Sequence, residues 1–442
     1  MNLHNVEPDH RVSRAAGRHT FLRVFILVVM LSLCFGTVCA AEEITPGTSI
    51  LGITSHPGII WRSARINGDR IVWAEHISNT SFVAYNIRLY NITTGIETLV
   101  SPSSPDEPHN DYMGDERPVA ISGNRIVWTK YGEVWLYDIA TGKSTAIAAN
   151  TGDYRTDVRR VDPDISGDIV IWRQQDVTVQ NFRNPDIIAY NLTSHNQTTV
   201  SHGSWDKYRA RISGTRIVWE DYRNGNPDIY LYDLETGQER AICTVSGTQY
   251  APKISGDRIV WDNRRDGNYD VRMYDITTGR EMVIATGIEE QGETDISGNL
   301  IVWKELPSML FYNPYDESNR LMLFDLSAGK EYQIQKDVPV MLGPAISGNR
   351  IIYMDIAHIP ADQRDIRREN PVHEISLFTL DPGSFPVPTP ATGMQMTGTG
   401  LPVRSPDHLL PVPTPTQTPG FGTFCSLSVL VIGILFIRMR GG

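Results

Sequence analysis

Apolar and polar residues along this chain alternate in short runs, and the runs recur as a unit. The phrase Ile-Ser-Gly-x-x-Ile-Val-Trp occurs seven times with small changes, beginning at Ile66, Ile121, Ile165, Ile212, Ile254, Ile296 and Ile346. Seven positions on stand Trp73, Trp128, Trp172, Trp219, Trp261, Trp303 and Tyr353. A second phrase, Tyr-Asp-Leu-x-Thr-Gly, follows each copy and begins at Tyr90, Tyr137, Tyr190, Tyr232, Tyr274, Phe324 and Phe378. β-Branched and aromatic runs bounded by Gly, Asp and Asn are strand signals, and Gly or Asn supplies the positive φ of tight hairpin turns. Each repeat therefore reads as four strands, A to D. A ends at the Ile-Ser-Gly turn, B is Arg-Ile-Val-Trp, C is a run such as Ile229–Tyr232, and D follows the Thr-Gly turn. Four-stranded units at this period are propeller blades. The expected fold is all-β, a seven-bladed β-propeller of four-stranded antiparallel blades over residues 41–383. The last repeat runs into Asp381-Pro382-Gly383 without a strand D, and a spare strand at about 48–54 is expected to supply it, closing an exposed edge.

Spacing separates the two ends of the disc. The A–B step from Ile to Trp is always 7 residues and the C–D step from Tyr to Gly always 5, whereas the B–C step runs 17, 9, 18, 13, 13, 21 and 25. The D–A step is 26 and 23 at the first two junctions and 17 thereafter. In an up-and-down blade the variable steps share one end of the disc, and insertions confined to one end mark a binding surface. The loops there carry Tyr112, Tyr154, Phe311, Tyr312, Tyr315, Arg364, Arg367 and Arg368, residue types that anchor interfaces.

The repeated motifs resemble those of the TolB-type propeller family, over about residues 45–383. The resemblance implies the fold and a binding platform.

The ends of the chain set an address. Arg11, Arg14, Arg18 and Arg23 precede an apolar run, Val24–Cys34, and a small-residue break; residues 1–40 read as a secretory signal cut after Ala40. Residues 384–419 hold nine prolines and no apolar periodicity, the composition of a disordered stalk. At about 3.1 Å per residue it would reach on the order of 100 Å. Residues 420–442 form an apolar segment ending in Arg438-Met439-Arg440, a transmembrane segment or sorting signal. With Pro419-Gly420-Phe421 in front, this tail resembles the PGF-type sorting signal of archaeal surface proteins. That resemblance implies a membrane sortase as a partner and a membrane-anchored, extracellular product.

Charge and cysteine content agree. The formal charge of −11 becomes −15 once the two basic ends, together +4, are removed, which argues against nucleic acid as a partner. Of the four cysteines only Cys243 lies in the propeller, so no internal disulfide is expected. Asn79, Asn91, Asn191 and Asn196 begin glycosylation sequons.

Local catalytic motifs are missing. His373-Glu374-Ile375-Ser376-Leu377 lacks the second His of a zinc-protease helix, and there is no Gly-x-Ser-x-Gly elbow, paired-Cys site or phosphate loop. We therefore expect no catalytic residue, no cofactor and no enzyme. No metal is expected either; the nearest approach to a calcium site is the set Asp221, Asp262, Asp266 and Asp270, for which hairpin-turn chemistry is the plainer account. The tryptophans are expected to pack between blades. The leading expectation is a surface recognition or adhesion module that binds a protein or glycan through its variable loops. The alternatives are a structural surface-layer component without a specific ligand and an extracellular glycan-acting enzyme.

Overall fold

The structure is a computed structural model that describes residues 42–43, 51–57, 59–77, 85–102, 118–150, 158–176, 185–265, 267–306, 319–335, 340–356 and 372–380. Seven antiparallel four-stranded sheets follow one another along the chain, so the fold is the all-β, seven-bladed propeller expected from the repeats. Blade four is representative, with A at Lys207–Ser213, B at Arg216–Asp221, C at Asp228–Asp233 and D at Gln238–Cys243. The last blade is assembled from both ends of the domain. Val340–Ser347, Arg350–Ile356 and Val372–Thr379 give its inner three strands, and Leu51–Pro57 pairs antiparallel with Val372–Thr379 as the fourth. Glu42–Glu43 adds a short parallel strand at the outer edge of blade six, beside Tyr332 and Gln333. Among the described residues no helix is long and apolar enough to cross a membrane. The proposed signal, stalk and tail lie outside the described residues.

The core is a set of wedges between blades rather than one central mass. Each repeat aromatic enters the sheet before it. Trp219 packs with Ile171, Ile187 and Ala189 of blade three, and Trp261 with Val218, Ile229 and Leu231 of blade four. Trp73 of blade one packs with Ile352, Met354, Ile375 and Leu377 of blade seven, so the same contact closes the ring. Six tryptophans and Tyr353 are buried in this way.

Two other motif residues act as latches. The Ser of each Ile-Ser-Gly turn accepts a hydrogen bond from the backbone N–H of the next blade's turn glycine, as from Gly214 to Ser166, Gly256 to Ser213 and Gly298 to Ser255. Asn67 does the same for Gly123, and Ser347 accepts from Gly68 across the closure at 2.9 Å. The Arg that opens strand B reaches the same neighbouring turn. Arg70 donates to Gly123 O and Asn124, Arg258 to Gly298 O and Asn299, and Arg350 to Gly68 O. The Asp of the second phrase closes its own turn, as when Asp275 accepts from the Thr278 N–H at 2.7 Å and its hydroxyl at 3.0 Å. Such Asx bonds explain why Asp or Asn stands there.

Candidate functional site

Strand A of most blades breaks its pairing three residues before the motif Ile. Register shifts fall at Val161/Asp164, Tyr208/Arg211, Tyr250/Lys253 and Gly292/Asp295. The residue at the break takes a left-handed conformation, with φ of 51° at Asp162, 52° at Arg209, 50° at Ala251 and 57° at Glu293. Non-glycine residues adopt this region only when the surroundings hold them there. At Ala251 and Glu293 the preceding blade does so, through the residue just after its tryptophan. Glu220 of blade four accepts from the Ala251 N–H at 2.6 Å. Asp262 of blade five accepts from the Glu293 N–H at 2.9 Å, and from the Thr294 N–H at 3.3 Å and its hydroxyl at 2.6 Å.

These bulges and strand-B residues surround the propeller axis and enclose a cavity of about 570 Å³. Its walls come from blades one and four to seven, and include Arg65, Arg209, Tyr250, Lys253, Asp262 and Glu293. Glu290 and Leu306, also in the lining, stand at the start of one strand A and the end of the following strand B. That is the end of the disc at which the B–C and D–A steps are made.

The lining mixes apolar residues such as Leu306, Ile352 and Met354 with charged groups that pair with one another or with neighbours. Arg209 pairs with Glu220 at 3.0 Å, Lys253 with Asp295 at 3.4 Å and Lys304 with Glu293 at 3.6 Å. Nearby, Arg173 pairs with Asp162 at 2.6 Å. Tyr250 and Tyr269 sit with ring centroids 5.9 Å apart, and the Tyr269 N–H donates to Glu290 at 2.8 Å. Burial pushes the Asp262 carboxyl up to about 6, against the pull of the Thr294 and Glu293 donors and Lys253. Gly343, in the lining on blade seven, backs onto Glu293. A Cβ there would stand 2.3 Å from the Glu293 Cβ, so the bulge of blade six and the strand of blade seven meet backbone to side chain.

Tyr112, Tyr154, Phe311, Tyr312, Tyr315, Arg364, Arg367 and Arg368 lie outside the described residues, as do Asp266, Asn79, Ala40, Pro419, Gly420 and Phe421. The remaining calcium candidates do not converge. Asp221 accepts from Trp219 at 2.9 Å and Trp205 at 3.1 Å and pairs with Arg223 at 2.7 Å. Asp270 lies 3.7 Å from Arg272, and Asp262 faces the axis. Among the described residues no group of three or more His, Cys, Asp or Glu could hold a metal ion. Asn91 and Asn191 sit in C–D turns with their side chains accepting from Thr94 and Ser194, and Asn196 is exposed.

The axial residues are the part that motif reading misses. A signal was there. The position after each aromatic reads Ala74, Thr129, Arg173, Glu220, Asp262, Lys304 and Met354, a strand position that is charged in four consecutive blades, from Arg173 to Lys304.

No protein-family model matches the chain, and no curated protein matches it. Among solved structures it is similar to an oligogalacturonate lyase in complex with manganese, with TM-score 0.53 and 10% identity over 78% of this chain and 96% of that one. It is similar to a puromycin-hydrolyzing peptidase of Mycobacterium tuberculosis, with TM-score 0.54 and 10% identity over 68% of this chain and 50% of that one. The chain thus spans about half the length of that peptidase. A putative TolB from Agrobacterium tumefaciens is similar at TM-score 0.40 and 20% identity, over 56% of this chain and 87% of that one. Likeness at these identities is likeness of fold.

The expectation that the chain is not an enzyme is corrected by these comparisons, because the same propeller is carried by a lyase and a hydrolase. The physical reason is that axial groups on different blades are far apart in sequence, so a propeller site leaves no local catalytic motif to find. What the chain shares with the lyase and the peptidase is likeness of overall fold.

Proposed function

We propose that this chain is a secreted, surface-tethered propeller that binds a glycan in the axial cavity at its loop-bearing end. The observation that carries this is the cavity itself, about 570 Å³ and lined by the Tyr250 and Tyr269 rings beside fixed charged groups. Pockets of that size take a small molecule or one end of a chain, whereas a protein partner needs a broad surface. Tyr presents a flat apolar ring with a polar tip, which suits a sugar ring bearing hydroxyls at its edge. The acidic balance of −11 and the basic, apolar ends of the sequence support an extracellular, membrane-anchored address, with the tail handled by a membrane sortase.

Tyr250→Ala and Tyr269→Ala should each weaken glycan binding by about tenfold or more while the fold persists. A glycan array probed with the full chain, followed by calorimetry on the best ligand, measures this. Binding that is indifferent to both substitutions, or no binding at all, would favour the spacer reading of a surface-layer component.

Turnover is the second reading, and one observation favours it. Asp262 carries a carboxyl held up to about 6, where a group can exchange a proton near neutral pH. A glycan-acting enzyme built on this cavity, as the oligogalacturonate lyase is built on the same fold, would use Asp262 to move that proton. Release of new reducing ends from a bound oligosaccharide, abolished in Asp262→Asn, is the result this reading requires.

A further inference from the structure

Arg211 stands one residue before the motif Ile of blade four, the position held by Arg65 in blade one, Lys253 in blade five and Ala345 in blade seven. Those three equivalents line the axial cavity. The charges that act on Arg211 include Arg65 of blade one, as well as Asp162, Asp164 and Arg209. The side chain is 5% exposed. Its Nη1 donates to the Ala210 carbonyl, and its Nε and Nη2 meet no acceptor among the described residues.

The two donors left over share one edge of the guanidinium. Nε–H and Nη2–H point in parallel, and that edge is the one a carboxylate or another oxyanion engages with two hydrogen bonds at once. The neighbouring acids do not claim it. Asp162 is paired with Arg173 at 2.6 Å, and Asp164 accepts from the Ile165 and Ile212 N–H groups at 3.0 Å each. A buried guanidinium lacking partners on one edge is costly, and bringing an anion to it repays that cost.

We infer that Arg211 is an oxyanion-binding residue at the axis, taking the carboxylate or sulfate of an acidic ligand through Nε and Nη2. This deepens the glycan reading by giving the ligand an acidic group, and rests on that reading for the glycan itself. Arg65 of blade one lends a second positive charge. Lys253 and Arg209 are spent on Asp295 and Glu220, which leaves Arg211 to set the position of the anion.

The test is calorimetric titration of the full chain with glucuronate, glucose and inorganic sulfate, repeated on Arg211→Lys. Lysine keeps the charge and loses the fork. The expected result is that glucuronate binds better than glucose and that Arg211→Lys weakens it by about tenfold or more. Sulfate binding with the same dependence, and no gain for glucuronate over it, would assign the site to a free inorganic oxyanion and keep the Arg211 inference. Glucose binding equal to glucuronate, with sulfate silent, would overturn the inference and leave the glycan reading standing. If no probe binds, both fall. Should Arg211→Lys fail to fold, crystals of the native chain soaked in selenate decide the matter by anomalous scattering. Selenium beside Arg211 supports the inference, and selenium elsewhere or nowhere sinks it.

Discussion

Single side chains divide here into those that hold blades together and those that face the axis, and substitutions should separate the two. Trp261 is fully buried against Val218, Ile229 and Leu231 of the preceding blade. Trp261→Ala should cost about 3–5 kcal/mol, read as a fall in the denaturant midpoint. Ser213→Ala removes a latch at an exposed turn, and its cost should be only about 0.5–1 kcal/mol. Asp262 should show itself through pH. Its native carboxyl keeps a proton up to about 6, while an unfolded aspartate loses its proton near 3.8. The native state therefore binds the extra proton between those values, and stability from this group is full below about pH 4 and lost by about pH 6. The loss is about 3 kcal/mol by the usual conversion of a pKa difference. Urea midpoints measured across that range should fall for the native chain, and the slope should flatten in Asp262→Asn.

At the level of the strand, the informative element is strand A with its break. The repeated phrase is legible because it carries several duties at once: a turn needing positive φ, a serine latch and a wedge between blades. Seven copies of such a phrase leave one architecture that satisfies them all, and the all-β propeller follows. The bulge has no such signature. Asp162, Arg209, Ala251, Glu293 and Gly343 share a position three before the motif Ile and nothing else. At Ala251 and Glu293 what fixes the break is a carboxylate on the neighbouring blade, from a residue 31 positions away, in the Ala251–Glu220 and Glu293–Asp262 bonds. The sequence thus displays the frame and conceals the axial site, because the site is made of differences between repeats. Gly343 gives a direct check on the bulge of blade six. Gly343→Ala drives a methyl into the Glu293 Cβ and should cost about 1–3 kcal/mol while shifting Glu293 away from Lys304. Comparison of its thermal midpoint and glycan affinity with the native chain measures both effects.

For the molecule as a whole, stability is a property of the closed ring. Each wedge belongs to two blades, and the last wedge joins Trp73 to the strands of blade seven. Deleting residues 51–57 takes away the outer strand of that blade and exposes the edge of Val372–Thr379. An exposed edge pairs with other chains. The shortened protein should lose its cooperative unfolding transition and sediment as oligomers, and a monomer with the native midpoint would show that closure contributes little. The absence of a catalytic motif misled at this scale too. A ring gathers its functional groups by symmetry of position, and linear proximity has no part in it.

Ring closure through an early strand also sets a timetable for biogenesis. The Gly68–Ser347 latch spans 279 residues of sequence, and Leu51–Pro57, made before any complete blade, finds its partner only when Val372–Thr379 emerges. During synthesis the early segment must wait, unpaired, for the last blade to be delivered. Contacts of such long range slow folding. A ribosome that stalls before residue 379 would release a chain that can stack blades and yet has no way to finish the circle. Quality control that senses a lone strand end would then distinguish finished from unfinished molecules without reading any other part of them.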